Sequence, residues 1–158
     1  IAIATIKSLN LRYEIETRAE GKYILSIALW LTRTGRTASA ANPADISADI
    51  NIWMAGDAFE PPGAHVDDIG VDGLEFEVWY AADMGDASGA NANRWNHIVY
   101  RAVSPQLSES LDIDEFVADA VSRGYVSREH YVSSIEIGNE VMSGSGETWV
   151  NDLSLEVR

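Results

Sequence analysis

Cysteine is missing from all 158 residues, which removes disulfides, thiol nucleophiles and Cys-ligated zinc from consideration. Lysine is nearly missing too: Lys7 and Lys22 stand against nine Arg. The 11 basic residues face 25 acidic ones, for a net charge of -14, which repels phosphate backbones and makes nucleic acid and anionic membranes poor partners. No apolar run approaches the roughly 20 residues that a membrane-spanning helix requires, so no membrane partner is expected. His65, His97 and His130 are scattered without ligand spacing, so neither a metal nor a cofactor is expected. What the chain does have is 46% hydrophobic residues with five Trp, six Tyr and three Phe, enough for one packed domain over residues 1–158 and too apolar for disorder. An acidic, Lys-poor surface stays hydrated when salt screens ordinary repulsion, which suits a marine or halophilic source. The chain starts at Ile1 with no charged-apolar-small leader pattern, as a mature product or a fragment of something longer would.

Alternation dominates the pattern. Strands are expected at 11–18, 23–31, 47–53, 74–80, 96–103, 131–137 and 149–157. The stretches 34–43, 56–63, 82–93 and 143–146 read as turns or loops. Helical spacing occurs once: Ile113, Phe116, Val117, Ala120 and Val121 recur at three- and four-residue steps, with acidic residues in the first turn and Gly124 past the end. Many strands and one short helix predict an all-β sandwich.

Two strands carry candidate chemistry. Period-two geometry places Asp49, Asn51 and Trp53 on one face of their strand and Ala48, Ile50 and Ile52 on the other. A carboxylate, an amide and an indole in a row suit a sugar ring, although a solvated sheet face would read the same way. In the second strand Glu136, Gly138 and Glu140 share a face, with Glu140 at a strand end ahead of the Gly-rich Ser143–Gly146. Glycoside hydrolysis uses two carboxyl groups flanking the scissile bond, and two strands of one curved sheet supply such a pair. Asp67, Asp68 and Asp72 around Gly70 and Gly73 fit no calcium loop and read as a turn between strands. Glu75, Glu77 and Trp79 share a sheet face, either solvated or bordering a groove.

Taken in order, these segments resemble glycoside hydrolase family 12. Asp49-Ile50-Asn51-Ile52-Trp53-Met54, then Gly56 and Pro61-Pro62-Gly63, is similar to that family's nucleophile strand and following loop. Val71 to Tyr80 resembles its next paired strands, Asp112 to Val121 its single helix, and Tyr131 to Glu140, with Gly144 and Gly146 after it, its acid/base strand. The resemblance implies a concanavalin-like jelly-roll β-sandwich with a concave cleft. It implies a metal-free glycosidase acting on β-1,4-glucan of cellulose or xyloglucan type, secreted or at the cell surface. Glu140 matches the acid/base and Asp49 the nucleophile, with Trp53 close beneath the cleft surface; Asn51, Trp53, Glu136 and Asn139, on the same two strands, are the expected substrate contacts. The chain departs from the family at four points. Asp49 stands where the family has Glu, and one methylene less pulls the carboxylate back by about 1.5 Å, from a retaining spacing of ~5–5.5 Å towards an inverting one of ~6.5–9.5 Å. Asn51 replaces a Met. The strand at 23–31 offers Ser26, Ala28 and Trp30 instead of an Asp to hydrogen-bond the nucleophile. The N-terminal strands of the family have no counterpart, which leaves a sheet edge for a partner segment to cover. A non-catalytic carbohydrate-binding module and a structural or surface-assembly sandwich are the rival readings.

Overall fold

The computed structural model describes residues 1–35, 43–56, 59–85 and 92–158; the loop readings over 36–42, 57–58 and 86–91 lie outside the described residues. Seven strands and one helix follow in chain order: β1 (Leu9–Thr32), β2 (Ile46–Ala55), β3 (Ala64–Val71), β4 (Leu74–Gly85), β5 (Arg94–Ala102), β6 (Ser108–Asp112), α1 (Ile113–Ser122) and β7 (Tyr131–Val157). They form one sheet in the order β3-β4-β5-β2-β1-β6, with β7 also paired to β1.

The sheet makes a sandwich by curling over itself. Leu25, Ile27, Leu29 and Leu31 from the C-terminal half of β1 join Ile50 and Ile52 of β2 and Ile98 and Tyr100 of β5 in one core. Leu9, Leu11, Tyr13 and Ile15 from the N-terminal half of β1, and Phe116, Val117 and Ala120 of α1, close that core from the opposite side. The backbone amide of Leu9 donates to Asp114 Oδ1 at 2.7 Å, tying the start of α1 to the start of β1.

The alternating pattern predicted separate strands at 11–18 and 23–31, and again at 131–137 and 149–157. Each pair is one continuous strand, 24 residues for β1 and 27 for β7. The reading of 143–146 as a turn is overturned: Gly144 and Gly146 lie inside β7, opposite Gly21 and Ala19 of β1. Gly21 and Gly144 both have φ near +105°, and a Cβ on either would collide with the other's backbone. Only glycine tolerates both constraints, so here it marks the point where two long paired strands bend together, not a chain reversal. Asn139 and Thr148 flank that bend and meet at 2.6 Å, so β7 bends sharply there.

β3 and β6 were not among the expected strands because they are mostly polar, with Val71 and Leu111 their buried residues. Asp72-Gly73 turns β3 into β4 with both residues at positive φ, the backbone of a two-residue hairpin. The surrounding carboxylates have protein partners: Asp67 with Arg123 at 2.9 Å, Asp68 with His65 at 2.8 Å, and Asp72 with the Asp112 amide at 2.8 Å.

Candidate active site

Cross-strand register lays the face opposite the core out in rungs. One rung runs Ser134, Trp30, Asp49, His97 and Ala81 across β7, β1, β2, β5 and β4. The next runs Glu136, Ala28, Asn51, Val99 and Trp79, and the third Gly138, Ser26, Trp53, Arg101 and Glu77. Residues two apart on a strand share a face, so all three rungs point to the same side. Glu140 lies one step beyond the third rung, opposite Ile24.

Trp30 and Glu140 are six residues apart along β1 by register, yet both border one groove of about 240 Å³. The floor therefore curls between them, and β1 has a register shift at Leu25/Ser26 on that stretch, the kind of irregularity that bends a strand. Asn51, Glu136 and Asn139 also line this groove. Glu140 is exposed and has no ion pair or side-chain hydrogen bond among the described residues, whereas Glu136 accepts a 3.2 Å bond from Ser134. Asn139 also borders the groove, and its Nδ2 donates to Thr148 Oγ1 at 2.6 Å.

Asp49 does not line the groove. It is 5% exposed, one rung past Asn51 and directly across from Trp30, which stacks edge-on against Trp95 at 5.7 Å. A carboxylate that deep needs a partner, and His97 provides one: its Nδ1 lies 2.6 Å from Asp49 Oδ1. Trp53 is 3% exposed and borders a second, neighbouring groove of about 440 Å³ with Glu77 and Arg101. Arg101 Nε donates to Glu77 Oε2 at 2.6 Å and Trp79 Nε1 donates to the same oxygen at 3.1 Å, so this part of the face is an ordered polar wall. Two buried polar atoms of the floor, Asn51 Oδ1 and Trp53 Nε1, have no partner among the described residues. Buried polar groups are usually paired, so these two atoms mark where this face leaves a polar group unmatched among the described residues.

The whole pattern, from Ile3 to Arg158, matches the family model for glycosyl hydrolase family 12. The chain belongs to that family. Endoglucanase S of Pectobacterium parmentieri is 24% identical over 162 residues, covering all of this chain and 58% of that protein. Among solved structures, a family 12 xyloglucanase from Bacillus licheniformis superposes with a TM-score of 0.83 at 26% identity, over 96% of this chain and 62% of its own. Endoglucanase Cel12A from Rhodothermus marinus gives 0.83 at 26%, over 100% of this chain and 65% of its own. The chain thus spans about three fifths of the relatives it matches. The family 12 sandwich expected from the sequence, with a curled sheet and one α-helix among the described residues, is the fold observed.

Within this family 12 framework, the six residues singled out by sequence fall into three environments. Asn51, Glu136, Asn139 and Glu140 meet at one groove, Asp49 is buried beside it, and Trp53 belongs to the next groove along. Glu140 does not owe its position to a strand end, since β7 continues well past it to Val157. Sequence reasoning passed over His97 because its spacing was tested only against other histidines. The parallel pairing of β2 with β5, which sets His97 opposite Asp49, leaves no local trace in the chain.

Proposed function

We propose that this chain hydrolyses internal β-1,4-glucan linkages of cellulose or xyloglucan type. Glu140 protonates the leaving oxygen and then activates water, and Asp49 attacks or stabilises the anomeric carbon. The observation that carries this reading is the groove and its margin: the exposed Glu140 carboxylate, with no side-chain partner among the described residues, borders it, and the Asp49 carboxylate is buried beside it two strands away. Asn51, at the floor of the same groove, is the side chain placed to meet a sugar hydroxyl. Family membership supports a glycan substrate, and the names of the relatives support a glucan. A polymer of that size places the reaction outside the cell, secreted or at the surface, and the acidic, Lys-poor composition fits salt water.

The test is reducing-sugar release from soluble β-glucan and xyloglucan by this chain and by Glu140→Gln. Release that disappears in the variant while glucan binding persists supports the reading. Binding with no release from either protein would replace it with a carbohydrate-binding role. NMR of the freshly released anomer then reports whether the shorter Asp49 gives retention or inversion.

The distal half of β7 leads to a related proposal. Val141, Met142, Trp149, Val150, Leu153, Leu155 and Val157 are all exposed there. Edge strands with apolar faces invite pairing, and further β-strands, supplied by a partner segment, cover this ribbon when the family 12 site is complete. Hydrogen exchange checks this: fast exchange along the outer edge of Asn139 to Val157 in the isolated chain is expected, and protection there would mean that the ribbon is already covered.

A further inference from the structure

We propose that His97 is the positioning residue for the Asp49 carboxylate, holding it from β5 because β1 offers it no donor. The inference rests on Asp49 being the reacting carboxylate.

On the β1 side, Asp49 faces Trp30, with Ala28 beside it, and no side chain of β1 donates to it among the described residues. On the β5 side, the parallel register sets His97 directly opposite. The Nδ1 to Oδ1 contact is 2.6 Å, and the two side chains are 14% and 7% exposed, so little water competes for that oxygen. Arg101, the nearest cation along β5 on this face, is two rungs away and engaged with Glu77. His97 is thus the one side-chain partner of Asp49 among the described residues.

The consequence is directional. The terminal torsion of an aspartate is broad and soft, so an unheld carboxylate would swing. A single short bond on Oδ1 fixes the plane of the group and leaves Oδ2, which has no partner among the described residues, as the oxygen for the substrate side. The pull towards β5 also decides where the shortened side chain ends up, and misplacement of a reacting group by about 1 Å can cost about a hundredfold in rate. His97 never touches the sugar in this scheme; it acts through Asp49.

The experiment compares the whole chain with His97→Leu, His97→Asn and Asp49→Asn for hydrolysis of soluble β-glucan. It also records the low-field imidazole proton by NMR. Leu fills the space with no donor, while the amide of Asn can place an N–H close to where Nδ1 stood. The expected result is loss of turnover in Asp49→Asn, and a fall in kcat of about 10- to 100-fold in His97→Leu with KM changed less than about twofold. His97→Asn recovers most of the rate, and the strongly deshielded Nδ1 proton of the wild type moves upfield in Asp49→Asn. Unchanged kcat in His97→Leu, with Asp49→Asn inactive, overturns the role of His97 while sparing that of Asp49. Equal loss in the Leu and Asn variants overturns it too, because a packing role needs no N–H. Full turnover in Asp49→Asn, or none in the wild type, defeats the reading of Asp49 and the proposal with it. If His97→Leu fails to fold, the Asn variant and the NMR resonance decide: a wild type with no deshielded proton overturns the proposal.

Discussion

Ile50 and Asp49 are neighbours on β2 and both are buried, but for different reasons. Ile50 is fully enclosed between Leu29 of β1 and Ile98 of β5, on a face where every β2 side chain is apolar. Asp49 is 5% exposed on the other face, where His97 is its side-chain partner among the described residues. Burial of Ile50 stabilises the fold directly by removing apolar area from water. Burial of Asp49 costs free energy that its hydrogen bond only partly offsets. One face of β2 therefore holds the sandwich together, and the other spends stability on the arrangement of polar groups. Such an expense is what a site for chemistry looks like in a strand.

Substitutions on the two faces should separate activity from stability. The largest effect belongs to the groove: Glu140→Gln is expected to reduce glucan hydrolysis by a factor of about 10² to 10⁴, with the thermal midpoint unchanged because the side chain is exposed and unpaired. Kinetic and melting measurements on the same preparation check it, and a large drop in midpoint would mean that Glu140 is structural.

On the core face, Ile50→Ala should reverse that profile. It is expected to cost about 2–5 kcal/mol of unfolding free energy in a denaturant titration, through lost burial and the cavity left behind. Under conditions where the variant is folded, kcat should stay close to the wild-type value.

Alkali distinguishes the faces in another way. Tyr13 and Tyr100 are on the core side, and burial pushes both phenols well above the usual value near 10, with Glu109 adding to the shift at Tyr13 and Asp119 at Tyr100. In the unfolded chain they ionise near pH 10, while in the fold they remain neutral, so the unfolded state loses protons first. Stability is then fully present below about pH 10 and declines as pH rises beyond it. Denaturant midpoints measured between pH 8 and 11 should fall over the upper part of that range, and Tyr100→Phe should flatten the fall.

The smallest effect concerns Asn51. Its Oδ1 is buried without a partner among the described residues, so Asn51→Met removes an unsatisfied acceptor and should raise stability by about 1 kcal/mol. The same change should weaken glucan binding if that oxygen receives a sugar hydroxyl. A gain in both stability and affinity would remove Asn51 from the list of substrate contacts.

How far the sequence reached depended on whether the signal was local. The faces of β2 were legible because period two is written into seven consecutive residues. The helix was legible because its apolar positions recur every three or four, and observation moved its start by one residue, to Ile113. The turn read over Asp67 to Gly73 narrows to Asp72-Gly73, because Asp67, Asp68 and Gly70 are paired within β3. β3 and β6 escaped because strands at a solvated margin carry too few apolar residues to alternate.

The sequence by itself determined the sandwich class, the two faces of the candidate strands, the helix and the ordered motifs of the family, since each depends on residues close together in the chain. Only the tertiary structure decided that Gly21 and Gly144 bend one continuous ribbon, that Glu140 shares a groove with Trp30, and that His97 holds Asp49. Those facts depend on which strands pair and in what register. Pairing is settled by the burial of the whole core, across separations such as the 48 residues between Asp49 and His97, and no local pattern encodes it.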